Sequence, residues 1–560
     1  MKAALKHAVV MACHWASGYM SNKEEVRYVA SSHNIKETQE KVLEGVLERL
    51  EGTESAAVHN INGNASYEYF KKHFLVSDYS DWQEMIEYQR SGAVSVLTNT
   101  PCMRYQPTSG STSKIKWIPY NHEFLEQLNL AVGPWLSSMY KQYPEIKKGK
   151  HYWSLSWVPT EMRNVDSESV NNDLKLLPWW KRLFMSFTMA VPEDVSLAES
   201  SEESLFATAC YLVSCDDLSF ISVWSPTFLM GLLDLIKDNR MHIARVLEQG
   251  QWPKYYPSLS SIKAPMNKRA AGTLLKWDGI INPRFTKFVW PKLALISAWD
   301  TSSSKVWADK IKVLFAHADF QGKGLWATEG AVTIPYGHNF PLTFTSHFYE
   351  FENLDTNEVL ASWMLKEGMQ VKPILTTANG LIRYALKDRL EVTGFLNQVP
   401  CFTFMGRLDG IDLVGEKLSP DVASHIISYV NGIKGITAVT LLGVPNIEAE
   451  NDGAGYVLLC EGRQVGKNID HDAFLNKIKN EVEGMLQQHF HYQLAREVGQ
   501  LQVVEILMLE DAVKFYEDGK VEEGMTRGNI KIEPLSLWRG EIDKVFSDEK
   551  KDGIEVEHVI

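Results

Sequence analysis

Segments of strand period and helix period alternate along the first four hundred residues, and this alternation confines the chain to a mixed α/β architecture. Ser219-Phe220-Ile221-Ser222-Val223-Trp224 is rich in β-branched and aromatic residues and predicts a strand. Pro226 then opens a helix to Ile236, with Phe228, Leu229, Leu232, Leu233 and Ile236 on one face. Upstream, Lys36 to Leu50 places Val42, Leu43, Val46, Leu47 and Leu50 at helical spacing. Asp81 to Arg90 reads as another helix, leading through Gly92 to a strand at Val94–Leu97. Trp290 to Ile296 reads as a buried strand ending near Trp299-Asp300. After a Gly/Asp-rich stretch, the pattern predicts a small α+β domain. Its parts are a helix at Pro420–Gly432, strands near Thr437–Leu442 and Gly455–Leu459, a helix at Asp472–Phe490 and a strand at Val503–Leu509. The expected divisions are 1–408 for a large N-terminal domain, 409–418 for a hinge and 419–560 for a small C-terminal domain. A chain of 560 residues, 45% of them hydrophobic, is long enough for more than one core.

Charge and cysteine usage exclude several classes. The net charge is −13 and the basic residues form no stripe, so nucleic-acid binding has no electrostatic support. Lys147-Lys148-Gly149-Lys150 is short and reads as a solvated loop. The six cysteines include no Cys-x-x-Cys pair, which argues against zinc and for buried, reduced thiols. Met1 to Met20 has neither a long apolar run nor the form of a signal peptide, so the expectation is a cytoplasmic protein without a membrane partner. The oligomeric state is open.

Chemistry concentrates in Thr108-Ser109-Gly110-Ser111-Thr112-Ser113-Lys114-Ile115-Lys116-Trp117-Ile118-Pro119. Such a loop can turn amide N–H groups and hydroxyls toward a phosphate and add an ammonium beside it. Taken alone, the same composition is more often a solvated turn. The Walker spacing is absent, and Ser111-x-x-Lys114 lacks the Lys-Thr-Gly companion of penicillin-binding enzymes.

The segment is similar to the phosphate loop of acyl-adenylating enzymes. It is closer to that of the GH3 acyl-acid amido synthetases, where Ser-Ser-Gly-Thr-Ser/Thr continues to Lys-x-x-Pro, here Lys116 to Pro119; Ser113 stands where the adenylating loop has its second glycine. Further segments resemble the same family in the same order. Asp319-Phe-Gln-Gly-Lys-Gly-Leu-Trp-Ala-Thr-Glu-Gly330 resembles Tyr-Ala-Ser-Ser-Glu-Gly, with Ala327, Thr328 and Glu329 in the motif and Trp326 before them. The glycines expected after the Trp290–Ile296 strand are Thr301 and Ser302–Ser304 here. Tyr349-Glu350-Phe351 resembles Phe-Glu-Phe. Thr376-Thr-Ala-Asn-Gly-Leu-Ile-Arg-Tyr384 followed by Asp388 resembles Thr-Thr-x-x-Gly-Leu-x-Arg-Tyr-x-x-Gly-Asp, with Lys387 in place of the glycine. Gly406-Arg407-Leu408-Asp409 is similar to the hinge of adenylate-forming enzymes, and Asp409-Gly410 is also a strong hairpin dipeptide. His491-Tyr492 to Leu501 resembles a family segment, as does Gly528-Asn529-Ile530-Lys531-Ile532-Glu533-Pro534, with Asn529 for glutamine and one residue more between lysine and proline.

The resemblance covers roughly residues 65–540. It implies a large α/β domain of adenylate-forming type, a smaller mobile α+β domain, and a ligase using ATP and Mg²⁺. Thr108, Ser109, Gly110, Ser111, Thr112, Lys116, Ala327, Thr328 and Glu329 are implied to bind ATP and its phosphates, and Glu329 to hold Mg²⁺ as well. Asp388 is the implied ribose ligand, the alternative being a pair with Arg389. Lys417 is a linker contact to ribose or phosphate. Arg407 and Asp409 mark the hinge, and Lys531 and Glu329 are the implied catalytic residues. Arg383 and Tyr384 read as support for the strand, and His338 and His347 as structural. The Trp179-Trp180 to Met189 span either walls an acyl pocket or belongs to the core, and polar Asn164–Asp173 reads as a surface excursion. The implied partners are a small carboxylic acid and an amine or amino acid, joined through acyl-AMP into an amide. The alternatives are thioester formation with coenzyme A or a carrier protein, and a nucleotide-binding homologue without turnover.

Overall fold

Among the residues that the computed structural model describes, eighteen strands are placed among helices. It describes residues 2–59, 63, 65–108, 116–154, 186–301, 304–408, 410–414, 416, 418–447, 453–462, 471–497, 500–523, 525 and 527–538. The fold is mixed α/β, and the chain divides into two compact units. The first contains most of residues 1–405 with 526–529, and the second most of residues 406–560.

In the first unit, β1 (Arg104–Thr108) and β2 (Lys116–Tyr120) form an antiparallel hairpin with Thr108 opposite Lys116. β3 (Lys150–Trp153), β4 (Leu218–Ser222), β5 (Leu295–Ala298) and β6 (Asp319–Gly322) form a parallel sheet in that order. Helices between the strands, including Pro226–Asp238 and Lys305–Leu314, belong to this part of the chain. Every residue of β4 and β5 is buried, as a covered parallel sheet requires. β7 (Trp326–Ala327) and β8 (Gly330–Ala331) enclose the two-residue turn Thr328-Glu329. A sheet built from antiparallel pairs follows: β9 (Phe348–Asn353), β10 (Val359–Ala361), β11 (Gln370–Thr376), β12 (Tyr384–Ala385), β13 (Asp388–Leu396) and β14 (Val399–Arg407), ordered β10-β9-β11-β13-β14 with β12 against β11. The second unit has a four-stranded sheet, β17 (Glu505–Leu509), β16 (Gly453–Glu461), β15 (Thr437–Ile447) and β18 (Leu535–Leu537). Its own core includes Leu441, Leu458, Ile478 and Tyr492.

Several expected elements form where the pattern put them. The helices run Ile35–Leu50, Tyr79–Arg90, Pro226–Asp238 and Pro420–Asn431. Others differ for identifiable reasons. Val94–Leu97 is irregular rather than a strand, with Ser95 at φ 54°. Its Ser95 and Val96 carbonyls accept from Glu54 and Ser55 N–H at 2.9 Å, at the start of the helix Glu54–His59. The strand expected from Trp290 starts only at Leu295, because residues 290–294 close the helix Pro283–Val289. The helix expected at Asp472–Phe490 is two helices, His471–Leu486 and Phe490–Glu497. Among the described residues no helix is long and apolar enough to cross a membrane. Asn164–Asp173 and Trp179–Met185 lie outside the described residues.

One polar contact binds several of these pieces. The Arg383 guanidinium donates from Nε to Glu350 Oε2 at 2.7 Å and from Nη2 to Glu350 Oε1 at 3.0 Å. Nη1 donates to the carbonyls of Lys71 and Phe74. Tyr67 Oη donates to Glu350 Oε1 at 3.1 Å. Arg383→Met would strand a buried carboxylate on β9 and should cost about 3–5 kcal/mol of unfolding free energy. Urea unfolding of the two proteins measures it, and a loss under 1 kcal/mol would show the pair to be dispensable.

Candidate active site

Three chain segments distant in sequence meet at the β1–β2 hairpin. Residues 109–115, which contain Ser109, Gly110, Ser111 and Thr112, lie outside the described residues; the strands on either side are placed. Trp117 N–H donates to Tyr79 Oη at 2.8 Å, and Arg90 stacks 4.3 Å from the Trp117 ring. Lys116 Nζ lies 5.6 Å from the Tyr79 ring. At the far end of β2, Tyr120 Oη donates to the Thr328 carbonyl at 2.9 Å, joining the hairpin to the β7–β8 turn.

Glu329 is the second residue of that turn and is buried, neither a helix start nor a surface carboxylate. Tyr384 Oη donates to Glu329 Oε1 at 3.2 Å. Burial, and then the Glu329 carboxylate, raise the Tyr384 phenol well above its ordinary range, so it stays a donor. Glu329 also acts on the Tyr79 phenol, which burial raises first. Behind the turn, a Cβ at Gly330 would stand 2.7 Å from Leu375 Cδ2 and 2.9 Å from His347 Nε2. His347 is fully buried and donates through Nδ1 to Gln127 Oε1 at 2.9 Å, the same oxygen that accepts from Ala378 N–H. Burial lowers the His347 imidazole to about 3, so it is neutral at ordinary pH.

The third segment follows β11. Asn379 donates to the Pro119 carbonyl at 3.1 Å, and Asn121 donates to the Ala378 carbonyl at 2.9 Å. Gly380 holds φ +96°, and a Cβ there would meet the Leu97 carbonyl at 2.7 Å. Asp388 is buried at the start of β13, four residues beyond Tyr384. Its neighbour Arg389 donates to the Met405 carbonyl at 3.4 Å. The Asp78 carboxyl is held below its usual range by the Ser80 hydroxyl, with smaller contributions from Lys387 and Lys116. Two lysines therefore share the field of one helix-capping aspartate beside the hairpin.

The structure thus brings Lys116, Thr328, Glu329 and Tyr384 into one neighbourhood. Among these, Tyr384 is more than strand support, a role its sequence position did not reveal. Asp409 and Lys417 lie outside the described residues. In the second unit, Arg407 Nη1 is 3.7 Å from Glu533 Oε1, and the Lys531 carbonyl accepts from Tyr516 Oη at 3.3 Å. Lys531 itself is half-buried. The described cysteines are unbridged.

The chain matches the GH3 family N-terminal domain over residues 26–320 and the GH3 family central domain over residues 340–407. It belongs to the GH3 family. The indole-3-acetic acid-amido synthetase GH3.15 of Arabidopsis thaliana is 23% identical over 420 residues, covering 67% of this chain and 68% of that protein. The 4-substituted benzoates-glutamate ligase GH3.12 of Arabidopsis thaliana is 21% identical, covering 67% and 69%, and the jasmonoyl–L-amino acid synthetase JAR6 of Nicotiana attenuata is 22% identical, covering 66% and 68%. The solved GH3.15 acyl acid amido synthetase in complex with 2,4-DB shares the fold, with TM-score 0.77 at 17% identity over 93% of this chain and 95% of that one.

Removing the Tyr384 hydroxyl isolates its contact with Glu329. Tyr384→Phe should lower unfolding free energy by about 1.5–3 kcal/mol, the usual worth of a hydrogen bond to a charged group. Denaturant midpoints at constant slope would show it, and an unchanged midpoint would mean that the carboxylate does not rely on this donor.

Proposed function

We propose that this GH3 protein is an ATP-dependent acid–amino acid ligase. It adenylates a small carboxylic acid and passes the acyl group to an amine, giving an amide. The observation that carries the reading is the pair of bonds that fastens the Thr328-Glu329 turn, Tyr120 on β2 to the Thr328 carbonyl and Tyr384 on β12 to the Glu329 carboxylate. The named activities of the benzoates–glutamate ligase and the jasmonoyl–L-amino acid synthetase, each of which joins an acid to an amino acid, agree with it.

In the first half-reaction the acid carboxylate attacks the α-phosphorus of ATP, forming acyl-AMP and releasing pyrophosphate. In the second, the amine attacks the acyl carbon and AMP departs. Thr108, Ser109, Gly110, Ser111 and Thr112 supply amide and hydroxyl donors to the phosphates, and Lys116, with Ala327 and Thr328 of the turn, completes that cradle. Asp388 accepts the ribose hydroxyls through its two oxygens, and Lys417 is a further linker contact. Lys531 neutralises charge as carboxylate and α-phosphate are brought together. Arg407 and Asp409 form the hinge. Among the described residues no three His, Cys, Asp or Glu side chains gather to cage a metal. Mg²⁺ does not need such a cage, because one carboxylate plus substrate phosphates and water satisfies its octahedral demand. Glu329 fits that role, and the ion would neutralise phosphate charge when bound.

Acid-dependent exchange of labelled pyrophosphate into ATP tests the proposal directly, and its absence across a broad panel of carboxylic acids would refute it. Asp388→Ala should raise the Michaelis constant for ATP by about tenfold or more while sparing that for the acid, since one charged hydrogen bond is worth about 1.5–3 kcal/mol. An equal rise for both substrates points instead to a structural role. Lys531→Ala should slow acyl-AMP formation by about 10²–10³. Amide formation from supplied acyl-AMP should survive, as mass spectrometry of the product with amino acids would show. Equal damage to both steps would remove Lys531 from the adenylation step.

A further inference from the structure

The carboxyl ends of the parallel strands carry a second concentration of chemistry. Trp135 and Trp153 have ring centroids 5.8 Å apart, Trp224 and Trp299 5.6 Å, and Trp326 lies 6.3 Å from Trp135 and 6.1 Å from Trp224. All but Trp135 are only partly buried, so this aromatic cluster keeps some contact with solvent. Lys323, the residue after β6, is 7% exposed. Its Nζ lies 5.0 Å from the Trp135 ring and 4.9 Å from the Trp224 ring. It donates to Ser222 Oγ at 2.9 Å. That is one neutral acceptor for a group with three donors.

The neighbours repeat the imbalance. Ser222, Ser297 and Gln321 stand in register across β4, β5 and β6. Ser297 Oγ and Gln321 Nε2 are buried without a hydrogen-bond partner among the described residues. Gln321 Oε1, by contrast, already accepts from Trp135 Nε1 at 2.9 Å. The unfilled capacity is thus donor capacity at Lys323 Nζ and Gln321 Nε2, joined by a Ser297 hydroxyl that can donate or accept. No described carboxylate pairs with Lys323: Asp300 lies over Gly322, within 2.3 Å of where a Cβ would stand, and its charge answers to Lys312 and Lys305. Gly324 packs against the Thr333 carbonyl, where a Cβ would stand at 2.1 Å, so the glycines on both sides of Lys323 are set by close packing. In open parallel sheets, ligands bind at the carboxyl ends of the strands.

We propose that Lys323, with Ser297 and Gln321 beside it, anchors a carboxylate of an aromatic acid whose ring lies against the tryptophans. The inference rests on the ligase reading and assigns the residues that hold its acid. Lys323 is a binding and specificity residue, distinct from the phosphate and ribose contacts. Burial alone, with no charged group contributing, brings its ammonium down to about 7. An arriving carboxylate favours the charged form, so binding takes up a proton from the buffer onto Nζ. Affinity then falls as pH rises above the free value, because the neutral amine must first be charged.

Isothermal titration of the full-length chain, without ATP, in buffers of different ionisation enthalpy reads this directly. The probes are benzoate and benzene-1,4-dicarboxylate. At pH 7.5 the wild type should take up about three-quarters of a proton per acid bound, given a free value of about 7. Its affinity should decline between pH 7 and 9. Lys323→Met should abolish the uptake and weaken binding by about tenfold or more, while Lys323→Arg, charged throughout, should bind at pH 9 without uptake. Uptake with benzoate assigns Lys323 to the carboxylate that reacts, and uptake with the dicarboxylate alone assigns it to a second one. Either supports the proposal. It is overturned if neither probe binds the wild type with proton uptake, a result that does not depend on the variants folding. It is also overturned if a folded Lys323→Met binds and protonates as the wild type does. Binding with uptake but no pyrophosphate exchange would sink the ligase reading and leave this site standing; exchange without uptake would do the reverse.

Discussion

The Arg383 guanidinium distributes its donors over two parts of the chain: the Glu350 carboxylate on β9 and the carbonyls of Lys71 and Phe74 at the end of the helix Tyr67–His73. A charge this deeply buried is tolerable only because its fork is matched on every side. The backbone at Arg383 is left-handed, φ 48°, a conformation costly for a long side chain and kept because the surrounding bonds leave it no alternative. Tyr384 is the next residue. With Arg383 fixed, the phenol is delivered to Glu329, and Ala385 N–H is free to pair with the Ser77 carbonyl at 2.9 Å. The Arg-Tyr dipeptide thus divides its labour, one residue holding the frame and the next holding the carboxylate.

The same economy of position bears on Lys387, which stands where the motif it resembles has glycine. A lysine next to Asp388 adds a charge near the hairpin base, and Asp78 takes up part of it together with that of Lys116. Asp78 is also the N-cap of the helix Tyr79–Arg90, accepting from Ser80 N–H at 2.7 Å. One aspartate therefore fixes a helix start and moderates two lysines.

What the sequence disclosed was governed by the range of the interactions involved. Helices such as Pro226–Asp238 were legible because one apolar face repeats locally. The order of the motifs around Thr108, Glu329 and Asp388 was legible through family resemblance. Val94–Leu97 misled because a short β-branched, apolar run that buries Val96 and Leu97 also occurs in irregular backbone whose carbonyls serve a neighbouring helix. Tyr384 was underrated because its partner, Glu329, lies 55 residues away and nothing local marks the pairing. Lys323 was passed over inside a motif read for its glutamate. Its glycine neighbours were the available signal, since a lysine between two glycines can mark close backbone packing around a charged side chain.

Gly330 leaves no room behind the Glu329 turn, for a methyl there would press on Leu375 and on the His347 ring. His347 is in turn tethered through Gln127 to the backbone of Ala378, on the segment that leads to Tyr384. Position 330 and position 347 therefore occupy one shared volume, and neither can drift alone during evolution. A homologue that gains a side chain at the first must shed bulk at the second and find a new tether for the 378 segment. Change at these two sites should accordingly arrive in pairs, and the height of the turn carboxylate is inherited as a property of the pair.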